Sequence, residues 1–227
     1  MPKLQWDTTG NREFETGVSN VALYVMNSNG TYGTGVPWNG VTSVSERPSG
    51  AEPTKLYADN IKYLTMLSAE DFAATIEAYM YPDEWAACDG SEEPATGVYI
   101  GQQPRKRFGL VYRTEIGNDI DGNAHGYKIH IIWNAMASPS EKQYQTINDS
   151  PDAITFSWEL NSDPTAITEH TMTGGASYKP ISCMTIDSTK VNDDTKMTTL
   201  LDTLFGGTGE TATATLPTPD GIIDLMD

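Results

Sequence analysis

Two histidines, His125 and His130, stand five residues apart in a segment of alternating polar and apolar residues. On a strand an odd separation sends two side chains to opposite faces, so the pair is poorly set up to share a metal ion. Packing or surface histidines are the plainer reading. Asp119, Asp121 and Asn123 have the spacing that opens an EF-hand calcium loop. That loop needs Gly at its sixth position and Glu at its twelfth, where this chain has Ala124 and His130. A hairpin turn is expected there instead. Gly30-Thr31-Tyr32-Gly33-Thr34-Gly35 is glycine-rich, but its spacing is neither that of a phosphate-binding loop nor that of a dinucleotide-binding turn. No G-x-S-x-G and no H-E-x-x-H is present. Acidic residues are so numerous that no carboxylate pair stands out for glycoside hydrolysis. Cys88 and Cys183 have no metal-ligand spacing and are expected to be free thiols of a chain made in a reducing cytoplasm. No catalytic, metal or cofactor residues are assigned, and no cofactor is expected.

Charge is the strongest compositional signal. With 31 acidic and 14 basic residues the formal net charge is −17, which excludes nucleic-acid binding by counterion release. The plain reading is solubility; the sharper one is a surface that repels a polyanion. Basic residues cluster only at Arg105-Lys106-Arg107, with Arg113 nearby. That run is either a solvated loop or a contact for the acidic surface of a neighbouring subunit. No apolar run reaches the roughly 20 residues of a membrane span, and the start of the chain carries no signal-peptide pattern.

The elements that position these residues read mainly as strands. Thr, Gly, Tyr and Trp favour strands and turns over helices. Period-two alternation predicts strands over 20–27, 71–81, 108–116, 126–133 and 153–160, and weaker ones over 55–67 and 179–186. Residues 118–123 read as the hairpin turn between two strong strands, and 94–104 and 135–152 as loops. A helix is expected over 81–88, opened by Pro82 and closed by Asp89-Gly90. A second is expected over 193–205, where Met197, Leu200, Leu201, Leu204 and Phe205 share a face and Gly206-Gly207 ends it. The fold class expected is β-rich α+β: an antiparallel β-sandwich with a flanking α-helix. The sandwich domain would span 1–206 and a C-terminal arm 207–227.

Two segments fit no core. Residues 27–50 form a long glycine-rich stretch that nevertheless holds Tyr32 and Trp38. The arm ends in Ile222, Ile223, Leu225 and Met226, an apolar group that must bind either its own core or a neighbour.

Several short motifs occur in one order. Met80-Tyr81-Pro82-Asp83-Glu84-Trp85 is followed by Cys88-Asp89-Gly90, Val98-Tyr99-Ile100-Gly101-Gln102-Gln103 and Phe108-Gly109-Leu110-Val111-Tyr112-Arg113. Gly126-Tyr127-Lys128-Ile129-His130, Pro139-Ser140-Glu141-Lys142, Asn148-Asp149-Ser150-Pro151 and Phe156-Ser157-Trp158-Glu159 complete the series. In this order they resemble the major tail proteins of siphophages of Gram-positive bacteria, over residues 17–204. The resemblance implies a virion protein of the phage tail, made in the bacterial host. It implies six subunits in a ring, with strands closed into one barrel, and rings stacked through a long loop and terminal arms. The implied partners are further copies of the chain, a tape-measure protein, and tail-tip and tail-terminator proteins; DNA would pass the lumen without specific binding.

On that basis Tyr32 and Trp38 are expected to anchor the stacking contact, with Arg105, Lys106, Arg107, Ile222, Ile223 and Leu225 as further inter-subunit residues. The arm is expected to be disordered in the free subunit and docked in the tube. Six copies would carry about −100 per ring, an acidic lumen that DNA does not stick to. The alternative is a monomeric carbohydrate-binding or adhesin-like β-sandwich, whose mark would be an exposed aromatic platform.

Overall fold

A computed structural model describes residues 3–147, 152–207 and 213–227. The Asn148–Pro151 motif and part of the Thr-rich arm lie outside them. In chain order the elements are β1 (Phe14–Val25), β2 (Val36–Pro37), β3 (Val41–Glu46), β4 (Ser49–Gly50), β5 (Pro53–Ala58), β6 (Ile61–Leu67) and β7 (Glu70–Ala78). A 3-10 turn (Asp83–Ala87) follows, then β8 (Glu92–Ala95), β9 (Val98–Ile100), β10 (Phe108–Asn118), β11 (Gly122–Ala137), β12 (Phe156–Ser162), β13 (Cys183–Asp187), α1 (Asp194–Phe205) and α2 (Pro219–Met226). The fold is mainly β. Nine strands make one antiparallel sheet in the order β2-β1-β10-β11-β12-β7-β3, with β13 on β11 and β4 on β7.

The sheet curls because β11 changes partner. Lys128–Ile132 pairs with β13, whereas Ala135–Ala137 pairs with β12. Between them Asn134 adopts a left-handed backbone (φ 52°), and its side-chain amide donates to Asp163 O at 3.2 Å. Asn tolerates this conformation better than most residues. The bend brings β7 and β12 over β1 and β10, and the inner faces enclose one core. Val21, Leu23, Phe108, Leu110, Ala74, Ile76, Trp158 and Leu160 meet there. Its centre is aromatic: Trp85 lies 4.6 Å from Trp38, 5.0 Å from Phe108 and 5.4 Å from Trp158, ring to ring. Such tilted and edge-on contacts suit the ring quadrupoles.

The outer face of β1, β10 and β11 is equally apolar. Tyr24, Val111, Ile129, Ile131 and Trp133 pack there against Met197, Leu200 and Leu204 of α1 and Ile222 of α2. Asp193 caps α1 by accepting from the amides of Thr195 and Lys196. Pro219 opens α2, with the Thr218 hydroxyl accepting from Gly221 N. Trp133 Nε1 donates to Pro217 O at 2.8 Å, tying the C-terminal segment down. Gly109 permits the close approach: a Cβ there would collide with Leu216.

Four expectations are corrected. The segment 27–50 is not a free loop; it carries β2, β3 and β4. Residues 55–67 hold two strands joined by a turn, not one strand. The helix expected over 81–88 is only a five-residue 3-10 turn, which seats Trp85 in the core. The loop over 94–104 includes the β8–β9 hairpin, turned at Thr96-Gly97. The expected strands over 108–116 and 126–133 and the hairpin at 118–123 are present, as is the helix over 193–205.

Trp38 is 3% exposed, and its indole donates to Met80 O at 2.9 Å. Trp38→Ala should therefore lower folding stability by about 4 kcal/mol, read from urea unfolding.

Candidate assembly surface

From Val41 to Ala78 the chain forms one antiparallel ribbon. β3 pairs with β7, β4 continues that pairing, and Ala51 N donates to Ala69 O at 3.2 Å. β5 and β6 carry the ladder to its tip. There Asp59 and Asn60 both have positive φ (50° and 63°), the geometry of a two-residue hairpin turn whose twist matches the strands. At about 3.3 Å per residue, 51–58 runs about 26 Å past the β4–β7 pairing.

This extension has no core of its own. Every residue of β4, β5 and β6 is exposed. Among them Tyr57, Ile61, Tyr63 and Leu67 are each more than 60% exposed, and Met66 is 56% exposed. Leu56 pairs with Leu64 and Thr54 with Met66 across the ladder, so one face carries a row of cross-strand apolar contacts. A two-stranded hairpin alone is marginal in water. The extension is also uncharged overall: residues 51–69 hold Glu52, Asp59, Lys55 and Lys62, in a chain of net charge −17.

The root of the ribbon is held by a polar cluster. Tyr112 on β10 donates its hydroxyl to Glu46 Oε1 on β3 at 2.6 Å. His130 stacks on Tyr112, 4.7 Å between rings and nearly parallel. Its ring nitrogens lie 2.9 Å from Thr114 Oγ1 and 3.3 Å from Thr185 Oγ1, with Glu15 and Glu46 beyond. Glu15 also pairs with Lys128. Burial holds His130 below the ordinary imidazole value, against the opposing pull of Glu46 and Glu15.

Further apolar side chains are exposed after β7. Tyr79 and Met80 are 53% and 63% exposed, and Val98, Tyr99 and Ile100 of β9 are about half exposed. The Glu93 carboxylate, with Asp83 behind it, raises the Tyr99 phenol above its ordinary value.

The residues expected at subunit contacts are mostly occupied within the chain. Trp38 is in the inner core and has no surface for a neighbour. Tyr32 is half-buried, and its hydroxyl accepts from Asn134 N at 2.9 Å. Arg107 pairs with Asp163 and donates to Asn134 O. Arg105 donates to Asp89 O at 3.1 Å. Ile222 is fully buried, and Ile223 and Leu225 are half-buried in α2. The arm's apolar end serves its own core, where the α1 surface and Leu216 supply the partners. Of the eight residues only Lys106 is exposed. The ribbon residues escaped the sequence reading, although Asp59-Asn60 inside an alternating apolar run was the signal for them.

The remaining chemistry is sparse. Among the described residues no group of His, Cys, Asp or Glu is arranged to hold a metal. Both cysteines are free; burial pushes Cys88 up to about 12 and Cys183 up to about 11, so neither is a thiolate at neutral pH. Among the described residues no helix is long and apolar enough to cross a membrane. The chain matches no family model and no curated protein sequence.

Two outcomes follow from this geometry. Tyr57→Ser with Tyr63→Ser should change monomer stability by no more than about 0.5 kcal/mol per substitution in thermal unfolding, because both side chains are free of the core. The unfolded chain takes up a proton near 6.5 that buried His130 resists, so stability should fall as pH drops below 6.5. His130→Gln should remove that part of the slope in urea unfolding series run between pH 7.5 and 5.5.

Proposed function

We propose that this chain is a structural, self-assembling subunit and not an enzyme, and that it builds the hollow tail tube of a long-tailed phage. The observation that carries the reading is the exposed apolar ribbon. It projects from a well-filled core, contributes nothing to that core, and exposes more large apolar side chains than a free-standing monomer commonly shows. Such an element is completed by another chain.

The ribbon is single and lies at one end of the sheet, so engaging a different surface of a copy makes the contact head-to-tail. Head-to-tail contacts generate closed rings or open stacks. The terminal strand β3 leaves one edge of the sheet open for pairing between neighbours. The sequence resemblance supplies the rest of the proposal: six copies per ring, rings stacked around a tape-measure protein between tail-tip and terminator proteins, and location in the virion. An acidic bore fits the charge of −17 per copy, because DNA phosphates would be repelled during passage.

Electron microscopy of the concentrated protein should show hollow tubes or stacked rings. Replacing residues 53–67 by an Asn-Gly turn should keep the circular dichroism of the body and abolish the tubes. Tubes formed equally well by the trimmed chain would contradict the proposal.

A further inference from the structure

The half-buried arginines of this chain have polar partners, with one exception. Arg105 donates to Asp89 O, and Arg107 pairs with Asp163. Arg113 lies on the face of β10 that also carries Val111. It forms no ion pair among the described residues, and its Nε is shielded from water without a hydrogen-bond partner. Its guanidinium carbon sits 4.2 Å from the centre of the Tyr127 ring. That cation–π contact holds the group through its face and supplies no acceptor for its N–H groups. A cationic donor drawn out of water costs free energy until an acceptor is supplied.

Arg113 lines a pocket of about 620 Å³ between the β10–β11 hairpin and the first turn of α1. One wall is the turn after β13. Ser188 N donates to Tyr127 O at 3.0 Å, and Tyr127 N donates to Ser188 Oγ at 2.9 Å. Gly126 permits this approach, since a Cβ there would lie 2.4 Å from Thr189 Cγ2. Another wall is α1, whose start is capped by Asp193. Met197 and Tyr127, both packed on the outer core, give the pocket apolar lining. His125 also lines it but is engaged by Asp121 at 3.2 Å and faces Glu13 at 3.8 Å. Asp194 lines the same pocket, is exposed, and forms no ion pair among the described residues. One pocket thus holds an unpaired cation and an unpaired anion that are not paired with each other.

We infer that this pocket binds a small zwitterion of the α-amino acid class, its carboxylate on the Arg113 guanidinium and its ammonium on the Asp194 carboxylate. The two charges of the lining select against simpler ligands. An anion without an ammonium group meets Asp194 unrelieved, and a cation without a carboxylate meets Arg113. The planar guanidinium fork matches a carboxylate through two parallel hydrogen bonds. Ser188 accepts from Tyr127 N and keeps its own hydroxyl hydrogen to donate. The volume suits a small ligand, and Tyr127 and Met197 favour one with an apolar side chain. The pocket lies within one copy of the chain, so the inference is independent of the assembly reading.

The test is calorimetric titration of the full chain at neutral pH with three probes. Phenylalanine carries both charges, phenylpropionate lacks the ammonium group, and phenethylamine lacks the carboxylate. Phenylalanine should bind at least about ten-fold more tightly than either of the others. Arg113→Gln should weaken phenylalanine at least about ten-fold and bring it level with phenethylamine. Asp194→Asn should do the same and bring it level with phenylpropionate. Asp194→Asn alters only an exposed side chain, so the test survives if Arg113→Gln fails to fold. Absence of saturable phenylalanine binding would overturn the inference. Equal affinity for all three probes, or tighter binding of phenylpropionate than of phenylalanine, would also overturn it. Phenylalanine binding unchanged by Asp194→Asn would place the ligand elsewhere and overturn the assignment.

Discussion

The strands β10 and β11 are buried on both faces, and the rest of the fold answers to that constraint. Leu110 and Ile132 look into the aromatic core, while Val111, Ile131 and Trp133 look the other way. A sheet that is apolar on both sides needs two covers. The chain supplies one by bending β11 at Asn134, so that β7 and β12 fold back across it. It supplies the other with α1 and α2. Trp85, delivered by a five-residue turn, fills the space left between the layers. Once both covers are in place, the two faces of the central strands are shielded from water.

Set against that completeness, the ribbon stands apart. The same β3 and β7 that close the inner core run on, as β4 to β6, into water. The Tyr112–Glu46 contact and the stacked His130 fix the root, so the extension is aimed by the body and not free to swing about an unconstrained hinge. Its charge balance also differs from that of the body. Copies of a strongly acidic chain repel one another, and a neutral apolar extension is the kind of surface through which they can still adhere. On the proposed function, acidity over most of the molecule and adhesion at one place together favour an ordered contact over indiscriminate association.

How much of this was legible in the sequence depends on how local each signal is. The β10–β11 hairpin and α1 were read correctly because alternation, turn residues and capping groups lie within a few positions of each other. Trp38 was misplaced because the groups that bury it, Trp85 and Trp158, are 47 and 120 residues away. Ile222 is a similar case: an apolar tail reads the same whether its partner is Leu200 of its own chain or a neighbour. The basic run from Arg105 to Arg107 looked like one patch, yet Arg107 turns to Asp163 and Arg105 to the Asp89 carbonyl. The ribbon was missed for a different reason. Alternation over 55–67 reads as a single strand unless Asp59-Asn60 breaks it, and exposure on both faces leaves no mark in a one-dimensional pattern.

The most direct measurement is amide hydrogen exchange across residues 53–67, compared between dilute subunit and concentrated, assembled protein. The account predicts rapid exchange in the dilute subunit, where an isolated ribbon opens readily, and strong protection after assembly, with α1 and β10 protected in both. Equal exchange of the ribbon amides in the two states would contradict the claim that another copy completes it.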